Sequence, residues 1–163
     1  MKTIKVSLSG QSFDRAVKEL EKYRDGLKEK GRKICEKLAA MGAANVSIRY
    51  ARAIYTGTKD YNVAVEEIPN GYKIIADGET ALILEFGAGV TYGYGHPQAD
   101  EFGMGPGTYP DGKGNWDDPR GWRIPKEHGG GHTYGNPPSM AMYETANGLR
   151  EKVLQVAREV FNE

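Results

Sequence analysis

The first two segments of the chain differ in the spacing of their apolar residues. Residues 2–8 alternate between apolar and polar side chains, which predicts a half-buried strand. From residue 13 to residue 41 apolar side chains recur in steps of four and three, which predicts one long amphipathic helix. We expect Ser12 to cap the start of this helix and Gly42 to end it.

Three more strands are predicted after this helix. Residues 46–54 alternate in polarity, and so do residues 61–68 and 72–77. The sequence Pro69-Asn70-Gly71 is a strong turn signal between the last two. These strands are expected to form an antiparallel meander. Residues 79–86 are a short apolar segment, for which one or two helical turns are the first interpretation and a strand is the alternative.

Residues 87–138 have a different composition from the rest of the chain. They contain 14 of the 22 glycines, seven of the eight prolines and both tryptophans. Because flexible linkers are poor in aromatic residues, we expect a long projecting loop and not a plain linker. A hairpin is predicted between residues 121–124 and 132–134, with three glycines near its tip.

The last segment again has a helical period. Pro137-Pro138 is expected to open the helix, since proline suits a first helical turn. Its apolar face recurs in steps of four and three and comprises Met142, Ala146, Leu149, Val153, Val156 and Val160.

These elements predict an α+β fold. A small antiparallel sheet would carry the long N-terminal helix and the C-terminal helix packed on one face, with the Gly-rich insertion projecting from it. We expect a single domain over residues 1–163. Within it, residues 1–86 hold the strand, long helix, meander and short apolar segment, residues 87–138 the insertion, and residues 139–163 the last helix.

The charged residues balance overall but are unevenly placed. The formal net charge is zero, with a net of +7 over residues 1–60 and −7 over residues 61–163. A basic face and an acidic face on one small domain would suit head-to-tail association of copies. The alternative is that the basic excess is the solvated face of one long helix. Overall neutrality argues against a dedicated nucleic-acid binder, and no apolar run is long enough to span a membrane. The single cysteine, Cys35, excludes a disulfide framework and is read as a reduced structural thiol.

Candidate chemistry in the insertion is weak. His128 and His132 stand four apart beside Glu127, but three glycines separate them, so no helix would place both imidazoles on one side of a zinc ion. A calcium loop starting at Asp111 fails because tryptophans occupy its sixth and twelfth positions. The glycine runs lack the Lys-Ser/Thr pair of a phosphate loop. We therefore expect no catalytic residue, metal or cofactor.

One segment resembles a known family. The sequence Leu82-Ile83-Leu84-Glu85-Phe86-Gly87-Ala88-Gly89 resembles the signature of the head–tail joining, or tail-completion, proteins of tailed bacteriophages. In that family a Gly-rich insertion follows the signature and ends in a Gly-x-Pro segment that leads into a C-terminal helix. Residues 135–146 are similar to that segment. Ala88 stands where the family often has threonine.

The resemblance implies a non-enzymatic structural protein of the virion, made in the bacterial host cytoplasm. It would form a ring, commonly hexameric, at the neck of a phage or of a headless contractile tail. Its partners would be the tail tube and neck, connector or sheath proteins, with passing contact to DNA in the ring lumen and none to membrane. The candidate contacts to other subunits are Glu85, Phe86, Gly87, Gly89, Trp116, Trp122, Tyr134 and Met140.

A more specific hypothesis concerns two of these residues. Phe86 is expected to pack in the core or in a subunit seam, and Glu85 to receive hydrogen bonds from backbone or arginine. Two other classes of function stay open from the residues alone. One is a metal-assisted hydrolase that uses His128, His132 and an acidic partner, and the other is a monomeric binding module whose loop covers a ligand.

Overall fold

The computed structural model describes Ser7 and residues 9–107 and 117–162, and these residues form an α+β fold, as predicted. Two helices, one long and one shorter, carry two small antiparallel sheets of two strands each. The elements are α1 (Gly10–Arg52), β1 (Asn62–Ile68), β2 (Gly71–Asp77), α2 (Ala81–Phe86), α3 (Gly89–Tyr92), β3 (Trp122–Arg123), β4 (His132–Thr133) and α4 (Ala141–Asn162), with 3₁₀ turns at Asp100–Phe102 and Lys126–His128.

Helix α1 is longer at both ends than the sequence predicts. Its N-cap is Ser9 and not Ser12, because the Ser9 side chain accepts a hydrogen bond from the Ser12 amide. Gly42 does not end the helix. A Cβ at that position would overlap Ile74 Cδ1 and lie 2.8 Å from Leu149 Cδ1, so glycine serves here to let β2 and α4 approach α1 closely.

The predicted strand over residues 46–54 is also wrong, because α1 continues through it to Arg52. The spacing of its apolar residues fits both a strand and a helix. Val46 and Tyr50 are four residues apart, which places them on the same side of a strand and also about one turn apart on the same face of a helix. Both side chains are fully buried, and burial against the core selects the helical period. The chain leaves the helix at Ala53, whose ψ of 144° is extended.

The predicted strands over 61–68 and 72–77 are confirmed as the hairpin β1–β2. Their register runs from Asn62 opposite Asp77 to Ile68 opposite Gly71, across the predicted turn. The sheet has two strands where three were predicted, since the first of the three is helix. The predicted strand over residues 2–8 lies almost wholly outside the described residues.

The main core lies where α1 meets the start of α4. Val46 and Tyr50 of α1 cluster with Leu84 and Ala141, and the hairpin packs against the same face of α1. Helix α4 begins at Ala141 and not at the two prolines. Met140 has a φ of +51°, and its amide bonds to the Glu85 carbonyl, so the chain before Ala141 is not helical.

The first half of α1 extends past the end of α4. Lys30 Nζ donates to the Val160 carbonyl at 2.8 Å and lies over the Phe161 ring, which places the end of α4 beside the middle of α1. At 1.5 Å per residue, the turns of α1 before Lys30 reach about 30 Å further. Within the described residues, no helix combines the length and hydropathy that crossing a bilayer requires.

Candidate functional site

The signature segment places one carboxylate in the interior. Glu85 is the fifth residue of the short helix α2 and is only 5% exposed. Its Oε2 accepts a hydrogen bond from the Met142 amide at 2.9 Å, and its Oε1 accepts one from the Tyr143 amide at 3.1 Å. These two donors belong to the first turn of α4, where the helix dipole favours a negative charge. Glu85 thus caps α4 from outside that helix, and the backbone hydrogen bonds expected for it are present.

Two further side chains complete what we call the Glu85 cluster. The Tyr50 hydroxyl donates to Oε2 at 3.1 Å, and His96 Nε2 lies 3.2 Å from Oε1. His96 Nδ1 accepts a hydrogen bond from the Gln98 amide, so its proton is on Nε2, which donates to Glu85. The neutral tautomer of His96 therefore satisfies both of its neighbours.

The geometry of the Glu85 cluster is suited to holding elements of the fold in position relative to one another. Its carboxylate accepts from α1, α4 and the insertion, and it thereby holds three parts of the chain in one arrangement. Burial, together with the neighbouring charge of Glu85, raises the pKa of the Tyr50 hydroxyl well above its ordinary value of 10.0, so the tyrosine stays a donor.

The glycines of the signature form the stem of the insertion, which we define as residues 87–89 and 134–138. Ala88 and Asn136 exchange backbone hydrogen bonds of 2.9 and 3.1 Å. A Cβ on Gly87 would lie 2.7 Å from the Asn136 carbonyl oxygen, and one on Gly89 would lie 2.7 Å from that of Tyr134. The insertion therefore leaves the fold and returns to it at one point, where only glycine leaves room for the second strand of the stem.

Asn136 secures the stem from the other side. It is 2% exposed, and its Nδ2 donates to the Ile83 carbonyl at 2.9 Å. The amide of Ser139 donates to the Leu84 carbonyl at 2.9 Å. The two segments that carry the family resemblance, separated by about fifty residues, thus pack as one unit.

The other candidate contact residues differ in exposure. Phe86 is buried in an aromatic cluster, with ring centroids 4.2 Å from His96 and 5.2 Å from Phe102. Trp122 is half-buried near Gly89, and Met140 is half-buried before α4. Tyr134 is 54% exposed. Trp116 lies outside the described residues, as does the first half of the calcium-like run from Asp111. Whether any of these residues contacts another subunit stays a prediction.

An open cavity of about 450 Å³ adjoins the Glu85 cluster. The insertion contributes His96, Gln98 and Phe102 to its lining, and α4 contributes Tyr143 and Arg150. The binding-module alternative would place its ligand here.

The two histidines of the zinc hypothesis have separate neighbours. His128 Nδ1 lies 3.4 Å from Glu79 Oε2, and the His132 ring packs against Tyr134 at 4.9 Å between centroids. Among the described residues, no group of three or more His, Cys, Asp or Glu side chains is placed to hold a metal ion. The predicted hairpin that carries His132 is confirmed as β3–β4, with Trp122 opposite Thr133.

Two surface patches of opposite charge lie on different sides of α1. The basic groove is lined by the last turns of α1 and the segment before α4, through Asn45, Ile48, Arg49, Arg52, Ala53, Ile54, Pro137, Pro138 and Ser139. The acidic turn is the 3₁₀ turn Asp100–Phe102, where Phe102 is 55% exposed. Ile48 and Arg52 are each two residues from Tyr50, which is about 160° around a helix, and Tyr50 faces the cavity that Phe102 lines. The groove and the acidic turn therefore face different ways.

Comparison of the chain with protein-family models, curated proteins and solved structures found no match.

Sequence reasoning missed several members of the Glu85 cluster. The strand predicted over residues 46–54 contains Tyr50, and no role is predicted for His96 from the sequence. A signal for His96 was present in Gly95-His96-Pro97, a single imidazole in a tight turn eleven residues after the signature glutamate. The amides of α4 carry no sequence signal, because every residue except proline has a backbone N–H group.

Proposed function

We propose that this protein is a structural ring subunit at the head–tail junction of a tailed phage or a phage-derived contractile tail. The observation that carries the proposal is the joining of the two resembling segments, 82–89 and 135–146, into one buried unit. The residues of these two segments chiefly hold the insertion against the two helices. Such a role suits a structural protein, whose function is to offer contact surfaces to other subunits.

The surface that the insertion presents is aromatic. Tyr92, Tyr94, Phe102 and Tyr134 belong to the insertion and its stem, and each is at least 46% exposed. Aromatic residues are enriched where one protein surface contacts another, since a rigid ring buries a large area at little entropic cost. The insertion is thus suited to contact a neighbouring subunit or a tail component.

The opposite patches support association of copies from head to tail. Arg49 and Arg52 lie beside the exposed Ile48 and Ile54 in the basic groove, and the acidic turn offers two carboxylates beside the exposed Phe102. A contact between different surfaces of identical copies closes into a ring when its rotation closes. The groove and the acidic turn of successive copies would form such a contact.

Imaging of assembled tail particles tests this proposal. We expect a ring of this chain at the end of the tail that faces the capsid, and Tyr94→Ala should reduce its occupancy in the particle at least tenfold. Leu154→Ala is the matched control, because Leu154 is 60% exposed on α4 and Tyr94 is 61% exposed on the insertion. Absence of the chain from particles, or its presence at another position, would contradict the proposal.

A further inference from the structure

The first half of α1 carries an apolar seam that the rest of the described chain leaves about half exposed, although Leu27 at its end shares a groove with Phe161 of α4. The seam consists of Phe13, Val17, Leu20 and Leu27, which are between 40% and 55% exposed. Their spacing of four, three and seven follows the heptad positions d, a, d and d, with Arg24 at the intervening a position. Tyr23 beside them is 55% exposed. Such a row is the usual surface of a helix that pairs with another helix.

We propose that this seam pairs with the same seam of a second copy of the chain, with the two α1 helices antiparallel. The core dictates the direction. Continued from Leu27 in steps of three and four, the seam reaches Gly42 and Val46, which are buried under α4 and the hairpin. In a parallel pair both cores would occupy the same space between the helices. In an antiparallel pair they lie at opposite ends.

The register follows from the length of the exposed seam. Centring the pair on residue 22 places Val17 opposite Leu27 of the second copy and Leu20 opposite its Arg24. The seam from residue 13 to residue 31 then spans about 27 Å. It stops where Lys30 meets the end of α4.

The charges beside the seam complement each other in this register. The e positions are Asp14, Glu21 and Lys28, and antiparallel helices bring e positions of the two copies together. Lys28 of each copy then lies between Asp14 and Glu21 of the other. Arg24 lies next to Glu21 of the other copy across the centre of the pair, which offsets the repulsion between the two Glu21 side chains.

Gly31 supplies a second, independent observation. A glycine inside a helix costs about 1 kcal/mol relative to alanine. At Gly42 the close approach of α4 and β2 explains the glycine, but a Cβ on Gly31 would have no described atom from outside its own helical turns within 4 Å. In the proposed register Gly31 lies opposite Phe13 of the second copy, the largest side chain of the seam. The glycine makes room for that ring.

This pairing is a contact between identical surfaces and uses neither the basic groove nor the acidic turn. It therefore does not depend on the proposed ring and can be tested on the purified full chain. Because the seam has fewer than three heptads, we expect a dimer that dissociates on dilution.

Sedimentation equilibrium combined with cysteine cross-linking tests the pairing. Two variants, Val17→Cys and Leu27→Cys, are each made in a Cys35→Ala background and mixed under mild oxidation. The antiparallel register predicts a disulfide between residue 17 of one variant and residue 27 of the other, and little cross-linking of either variant alone. A parallel pair would cross-link each variant to itself, and that result would overturn the proposal.

Charge and core variants complete the test. Leu20→Glu should weaken dimerisation at least tenfold, whereas Lys22→Glu, on the outer face of the same turns, should change it less than twofold. Lys28→Glu should weaken the dimer, and the combination of Asp14→Lys, Glu21→Lys and Lys28→Glu should restore it. A chain that is monomeric at high concentration, or a dimer that Leu20→Glu leaves intact, would refute the pairing. A monomer that Leu20→Glu destabilises would refute it too, because the seam would then be covered within the chain.

Discussion

Glu85 connects distant parts of the chain through one carboxylate. Its oxygens accept from Tyr50 of α1, from His96 of the insertion and from two amides of α4. A buried carboxylate is stable only when its charge is compensated by such donors. Without Glu85 the same four donors would be left without a hydrogen-bond acceptor, which would lower the stability of the fold. The carboxylate and its donors therefore depend on one another.

Replacing this carboxylate by an amide should destabilise the fold. Glu85→Gln keeps the shape of the side chain but brings an NH₂ group towards N–H and O–H donors. We expect the free energy of unfolding to fall by about 1–3 kcal/mol, the range for leaving buried polar groups unsatisfied. Urea denaturation followed by circular dichroism measures it. Glu144→Gln is the control, since it removes the same charge from the exposed first turn of α4. Equal losses for both variants would contradict the role of Glu85.

At the scale of elements, the stem determines where the insertion sits. Gly87 has φ +77° and ψ 177°, a region of backbone conformation almost confined to glycine. It also lies against the backbone of Asn136 and Pro138. Conformation and close contact therefore both require glycine at this position.

These two requirements can be separated by substitution. Gly103→Ala should cost about 1 kcal/mol, because Gly103 has φ +64° but a Cβ there would have none of the described atoms within 4 Å. Gly87→Ala introduces backbone strain of about 1–3 kcal/mol, because alanine rarely adopts the conformation of Gly87, and its Cβ also displaces the stem. We expect the loss for Gly87→Ala to exceed that for Gly103→Ala by at least 1 kcal/mol in thermal or urea unfolding. Similar losses would mean that the two halves of the stem separate easily.

The predicted elements are confirmed where the apolar residues fit a single period, and the prediction is wrong where they fit both the strand and the helix period. The β1–β2 hairpin has alternation and a turn signal that agree, and it is confirmed. Residues 46–54 fit a strand and a helix equally well, and only packing of Val46 and Tyr50 against Leu84 decides between them. Gly42, predicted to end α1, lies within the helix, because the neighbours that require a glycine there belong to β2 and α4 and are remote in sequence.

At the scale of the whole molecule, the uneven charge becomes two separate patches. The basic excess of the first sixty residues includes Arg49 and Arg52 in the basic groove, and the acidic excess of the rest includes Asp100 and Glu101. Opposite charges on different sides of one molecule steer copies into head-to-tail contact. The proposed ring would use this arrangement.

Charge reversal tests the arrangement. Arg49→Glu with Arg52→Glu should abolish assembly into rings, because like charges would then face each other. Adding Asp100→Arg and Glu101→Arg in the same chain should restore it, as attraction returns with reversed signs. Electron microscopy of particles or native mass spectrometry of assembled rings measures the outcome. Lys152→Glu with Arg158→Glu, the same charge change on exposed positions of α4, should have little effect. Failure of the fourfold variant to recover would argue against pairing of these two patches.

The sequence by itself determined the α+β class, the β1–β2 and β3–β4 hairpins and the presence of the two main helices, because periodicity and turn residues act over short stretches of chain. It did not determine which face of α1 is buried, since Ala39, Gly42, Val46 and Tyr50 lie in the core and the predicted stripe from Phe13 to Leu27 is largely exposed. Only the tertiary structure decided the full length of α1, the joining of residues 82–89 to 134–143 and the partners of Glu85. These depend on contacts between residues far apart in sequence, and a local pattern carries no record of which distant backbone group a buried carboxylate will meet.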